Sequence, residues 1–228
     1  MADMRVTPVT GLLGSSSTSP VDFKGMLDGT AFTGDWLLRQ ALAGNCVTIN
    51  LGTGTAPATS AGAYVNTTPD VDIRVPAGTL AIPYNIQLGV EAYGTTLLFE
   101  AVAAYGSGGT YTPTSLDTAT VKNNRTDIAT STKGITAGGT GTGAVYMDDA
   151  IEFMRHQIDK IVTIATADDD STNHYSVYNW SARDTGNWPI MYNPGTFTRL
   201  NIWASGQATT FFAIVSMVVI SDPLSHAA

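Results

Sequence analysis

Between Val71 and Ala104 the chain alternates apolar and polar positions with a period of two. Val71, Ile73 and Val75 interleave with Asp72 and Arg74, and a Pro76-Ala77-Gly78 turn follows. Leu80, Ile82, Tyr84, Ile86, Leu88 and Val90 then alternate with Ala81, Pro83, Asn85, Gln87 and Gly89. A period of two puts one set of side chains on a buried face and the other toward solvent or a second layer, whereas on a helix it would spiral over the whole surface. With the run from Thr96 to Ala104 the stretch predicts a three-strand meander, half of a β-sandwich.

Further strands are expected at Arg5–Val9, Val47–Leu51, Ile161–Thr166, His174–Trp180, Ile190–Tyr192, Phe197–Ala204 and Thr209–Ser221. Asp149–Ile158 fits either a helical face (Ile151, Met154, Ile158) or a strand (Ile151, Phe153, Arg155), and the strand suits a sandwich better. Asp35–Ala43 is the clearest helix, with Asp35 placed to cap it and Gly44 to stop it; Trp36, Leu37, Gln40 and Ala41 share one side. The closing run, TTFFAIVSMVVIS, is apolar on both faces. Such a strand is central and covered on each side, by an insertion, the helix or another protomer. Phe211, Phe212, Val215 and Met217 are therefore the expected interface residues.

About eight to ten strands with turn-rich loops suit an all-β, jelly-roll-like antiparallel sandwich with one short helix. Residues 1–20 read as an extended N-terminal arm and 21–228 as one domain. A long polar excursion around 105–143 holds strand candidates at Ala119–Val121 and Asp127–Ala129, or contacts a neighbouring subunit.

Composition narrows the function. Charged residues are 13% of the chain against 43% hydrophobic, with 23 Gly, so hydroxyls and amides solvate the surface more than charges do. A net charge of −8 and 11 scattered basic residues argue against direct nucleic-acid binding. No apolar run reaches the roughly 20 residues of a membrane span, and the N-terminal stretch lacks a signal peptide's basic start and apolar core. The expectation is synthesis in a host cytoplasm. Lone Cys46 lies in a strand-like run as a small packed residue.

Candidate chemistry is sparse. The Gly52–Pro57 and Gly138–Gly143 runs lack the Lys-Ser or Lys-Thr and the helix of a phosphate-binding loop and read as loops at the sandwich ends. Asp168 and Asp170 offer clustered oxygens suited to Ca²⁺, the one cofactor considered, but without the glycine and terminal glutamate of a helix-loop-helix calcium site. The three histidines, His156, His174 and His226, have no zinc-site spacing. Glu91, Glu100 and Glu152 lie on strand-like segments, and a glycosidase would need two of them in one cleft. Trp180, Trp188 and Tyr192 are candidates for stacking on glycans.

Two stretches carry a resemblance. Pro69–Ala104, with its alternating strand into Val-Pro-Ala-Gly-Thr, is one; Trp180–Pro223, with Asn193-Pro194-Gly195 and the final apolar strand, is the other. Together they resemble virion structural proteins of environmental tailed phages, of the minor-capsid, decoration or head-fibre type with jelly-roll folds. Gly109–Leu116 is similar to the polar link between the halves of such proteins. The resemblance implies a non-enzymatic virion subunit that decorates or cements a capsid as a homo-oligomer, often a trimer, beside other capsid proteins. A glycan-binding (receptor-binding) sandwich is the alternative; a carbohydrate-active enzyme and a major capsid protein follow behind.

Overall fold

The computed structural model describes residues 36–53, 55–60, 62, 69–92, 98–107, 119–139, 150–159, 177–193, 195, 198–205 and 209–221, with a few two-residue strands elsewhere. The expected strand at 161–166, His174, His226 and the tip of the acidic loop at Asp168 and Asp170 lie outside the described residues. Of the N-terminal arm, Arg5–Val6 pairs with Val21–Asp22 and Val9–Thr10 with Ser15–Ser16.

The chain is an all-β sandwich of two antiparallel sheets. Its strands are β1 (Cys46–Leu51), β2 (Val71–Val75), β3 (Thr79–Ala92), β4 (Leu98–Ser107), β5 (Thr120–Asn123), β6 (Thr136–Gly139), β7 (Ile151–Asp159), β8 (Val177–Ser181), β9 (Met191–Asn193), β10 (Thr198–Ser205) and β11 (Thr210–Ser221). The first sheet runs β5-β1-β11-β3-β8, with β9 continuing beside β3 and Ala58–Thr59 beside β11. The second runs β6-β2-β10-β4-β7.

The expected meander is corrected. β2 pairs with β6 and β10, whereas β3 pairs with β8, β9 and β11, so β2, β3 and β4 alternate between sheets. The Pro76-Ala77-Gly78 turn, with Gly78 at φ 69°, carries the chain across the sandwich and not back along one sheet. Its geometry is held from the far end of the sequence: buried Asn193 donates to the Val75 carbonyl at 2.7 Å, and the Gly78 amide donates to the Asn193 carbonyl at 2.7 Å.

The even alternation of β3 is corrected too. Opposite β11, Asn85 faces Ser216 but Pro83 faces Met217, so Tyr84 is an extra residue. Such a bulge reverses which face each later position occupies. Ile86, Leu88 and Val90 point into the main core, whereas Leu80, Ile82 and Tyr84 sit on the outer side with Cys46 and Val218. There they meet Leu37 and Ala41 of helix α1 (Trp36–Leu42). Of the four residues expected to share one side of the helix, Leu37 and Ala41 pack on this cluster, whereas Trp36 is 41% exposed.

Gly44, at φ 73°, ends α1, and the excursion locks it in place. Arg125 donates to the Leu42 carbonyl at 2.8 Å, Asn123 to the Gly44 carbonyl at 2.8 Å, and Lys133 to Asn45 Oδ1 at 3.1 Å. The described part of the excursion, 119–139, sends β5 to the edge of one sheet and β6 to the edge of the other. Its second strand candidate is corrected, because Thr126–Ile128 is a 3-10 turn, tightened by the Arg125–Asp127 ion pair. Gly138 and Gly139, read as loop, belong to β6.

β7 resolves the helix-or-strand ambiguity of Ile151–Ile158 in favour of strand. It pairs with β4 from Tyr105 back to Leu98, with Phe153 as its own bulge.

Candidate functional site

The expected interface residues on β11 separate by parity. Phe211, Val215 and Met217 are 0%, 1% and 0% exposed and belong to the core between the sheets. They are corrected as interface residues, because the opposite sheet already covers them. Phe212 lies on the outer side; its ring passes over Gly52, where a Cβ would come within 2.7 Å of it. The second apolar face of β11 is covered at its Val218–Ile220 end by α1, one of the covers expected from the sequence.

The predicted aromatic shelf is also corrected. Trp180 is 2% exposed and packs edge-on against Phe153 at 4.9 Å, and Tyr105 also packs against Phe153, at 5.9 Å. Tyr192 packs beside the Cys46 cluster, and of the three only Trp188 is exposed, at 40%. The ring that a sugar would need beside Trp188 is spent on joining the sheets where β7 and β8 face each other.

At the same edge His156 of β7 stacks on Tyr178 of β8 at 3.7 Å. Burial lowers the His156 pKa from its ordinary value and raises that of Tyr178. A histidine with a depressed folded pKa favours the neutral form, so its contribution to stability is complete above the unfolded value of about 6.5 and is lost as pH falls through the folded one. The melting temperature is expected to drop between pH 7 and pH 5, and to drop less in His156→Phe. Equal drops in both proteins, followed by circular dichroism, would remove His156 as the cause.

Cys46 is sealed under α1. Burial pushes its thiol up to about 11, against a smaller opposing effect from a hydrogen bond with Tyr84. At pH 8 a thiol-specific disulfide reagent should label it only in denaturant, since the thiolate is the reactive form; rapid labelling of the folded chain would contradict this packing.

The three carboxylates considered for glycoside hydrolysis are not brought together. Phe99 and Ala101 face the core, which turns Glu100 to the outer side of the second sheet; Glu91 projects from the outer side of the first. Glu152 and Glu100 share a face, but Glu152 opposes Ala104 while Glu100 opposes Gln157. Four residues of strand separate them by about 13 Å, beyond the spacing of a hydrolytic pair. Glu152 also accepts two hydrogen bonds at 2.8 Å from Arg155, which lower its pKa.

The structure adds two features that sequence reasoning missed. The outer side of the second sheet is a buried polar seam. Asp72 accepts from Asn201 at 2.8 Å and from Arg74 at 2.9 Å, and Asp70 accepts from the Ala204 amide at 2.7 Å. Asp70, Asp72, Arg199 and Asn201 are each 2% exposed, with Trp203 fully buried beside them. Carboxylates tolerate such burial when they are paired and hydrogen-bonded. The available signal was the cross-strand match of Asp72-x-Arg74 with Arg199-x-Asn201, and it becomes visible only once β2 and β10 are known to pair.

The second feature is the half of the first sheet's outer side beyond α1. One row across the strands reads Ser181, Asn85, Ser216, Thr48 and Lys122; the next reads Asn179, Gln87, Ile214, Asn50 and Thr120. A third holds Val177, Gly89 and Phe212. Thr48 donates to Asn124 at 2.7 Å, and Asn124 to the Tyr84 hydroxyl at 3.4 Å. Amides and hydroxyls dominate, and Lys122 is the only charge in these rows.

No protein-family model matches the chain, and neither the curated proteins nor the solved structures contain a match to it.

Proposed function

We propose that this protein is a non-enzymatic structural subunit of a virion, a jelly-roll protein that decorates or cements a capsid as a homo-oligomer. The observation that carries this reading is the pairing of eight strands as one long hairpin rolled up on itself. β1 pairs with β11, β2 with β10, β3 with β8 and β4 with β7, while β11–β3 and β10–β4 contacts close the roll. That connectivity supports a jelly roll, an architecture used by viral capsid proteins among others. The low charge and the amide- and hydroxyl-rich outer face suit a particle surface, and the sequence resemblance points the same way.

With Phe211, Val215 and Met217 taken by the core, the protomer contact moves to α1. Its inner side packs Leu37 and Ala41 on the sheet, while Trp36, Leu38 and Leu42 remain 41%, 52% and 58% exposed. A short helix with apolar residues on both sides calls for a third layer, and a neighbouring protomer supplies it.

The test is solution mass by light scattering after size exclusion, for the wild type and for Leu38→Glu/Leu42→Glu. A trimer or larger species that the double substitution reduces to folded monomer supports the reading. A wild-type monomer at micromolar concentration contradicts it. Adding a chelator to the same run tests Asp168 and Asp170, because a calcium-bridged assembly would come apart.

A further inference from the structure

We infer that the open half of the first sheet's outer face is a binding surface for neutral polysaccharide. This goes beyond the structural role and rests only on the fold, so it holds whether or not the chain sits on a particle.

The two polar rows place amides on neighbouring strands: Asn179 beside Gln87 on one side of Ile214, and Asn50 on the other. Strands lie about 4.8 Å apart, so five of them set out donors and acceptors over about 19 Å, the length of a short oligosaccharide. An amide side chain offers both a carbonyl acceptor and N–H donors, and each can meet a sugar hydroxyl that donates and accepts in turn. Because the sheet fixes the backbone on which they stand, only the side-chain rotamers have to be ordered on binding.

Sugars also present an apolar face of C–H groups, and the surface has a counterpart to it. Phe212 and Ile214 follow each other along the outer side of β11, with Ile214 37% exposed and Phe212 half-buried over Gly52. Next to Phe212 across the strands stands Gly89, where an added Cβ would meet nothing within 4 Å. The missing side chain leaves open space at this point of the face, next to the strand that carries the aromatic ring. Rings in this position contribute through their faces without reading charge.

Charge decides which polymer fits. In the two amide rows the only ionisable side chain is Lys122, on edge strand β5. A polyanion would find no cationic track here, and nucleic acid is excluded for the same reason. α1 closes the other half of the sheet, which confines the surface to the rows from Thr48 to Phe212. The occupant that matches is an uncharged, hydroxyl-rich chain running across the strands.

The experiment is native gel electrophoresis of the full chain through gels containing dextran, mannan, laminarin or xylan, with alginate as the charged comparison. Retardation in at least one neutral polymer and none in alginate is expected. Asn50→Ala/Gln87→Ala and, separately, Asn179→Ala should weaken the retarding affinity about tenfold or more while keeping the wild-type unfolding midpoint. Ile151→Ala, exposed on β7 of the other sheet, should migrate like the wild type. No retardation in any neutral polymer overturns the inference, as does retardation that all the face substitutions leave unchanged. If Asn50→Ala/Gln87→Ala instead lowers the solution mass and leaves retardation intact, the face is a protomer contact and the inference fails.

Discussion

Val215→Asp is expected to abolish the cooperative fold. Val215 is 1% exposed and stands between Ile49 of β1 and Ile86 of β3, facing the second sheet. A carboxylate there loses its hydration and finds no cation among the apolar side chains of this core. The cost exceeds about 4 kcal/mol, comparable with the whole stability of an ordinary domain. Far-ultraviolet circular dichroism should show no sharp melting transition. Phe212→Asp, three residues earlier on the outer side, should stay folded with a loss of about 1 kcal/mol. Should Val215→Asp melt like the wild type, the assignment of β11's odd positions to the core is wrong. The pair of substitutions also separates assembly from folding, because only the outer-side variant leaves a folded chain whose mass can be measured.

The second large effect is expected at Asp72. It is 2% exposed and accepts from both Arg74 Nε and Asn201 Nδ2. Arg74 is 22% exposed and keeps contact with water, but removing Asp72 leaves the buried Asn201 amide without its acceptor, which costs the desolvation of that group. Asp72→Ala should lower the unfolding free energy by about 2 kcal/mol, seen as an earlier urea midpoint with an unchanged slope. Asp72→Asn keeps the shape and one acceptor and should recover part of the loss. An unchanged midpoint in Asp72→Ala would mean that the seam is hydrated and contributes nothing to stability.

Local pattern carried a good part of this fold. β2 and nearly the whole length of β3 were visible as strands because alternation reports the pleat directly, and α1 was visible from its stop at Gly44. The flip at Tyr84 was not visible. Leu80, Ile82, Tyr84, Ile86, Leu88 and Val90 alternate without a break in the sequence, and a bulge changes their faces without changing their spacing. The three-residue turn at Pro76–Gly78 was equally ambiguous, since a tight turn serves a hairpin and a sheet crossing alike. At Asp127 a strand-like composition yielded to a local ion pair with Arg125.

The candidate surface was less legible than the fold. Asn50, Gln87 and Asn179 are separated by long stretches of chain and share no motif; only the register of β1, β11, β3 and β8 sets them in one row. Trp180, the most conspicuous aromatic of the predicted shelf, went to the core, because a large ring has more to gain from closing the open edge against Phe153 than from standing in water.

The sequence by itself determined that this chain is all-β, where most of its strands run, and that its final strand is apolar on both sides. Those properties follow from backbone geometry, which imposes a period of two on any half-buried strand. Only the tertiary structure decided which side of each strand meets what. Thr48 and Ser216 touch across 168 positions of sequence. Pairings at that range are chosen by the whole set of sheets and covers competing together, and no local pattern records their outcome.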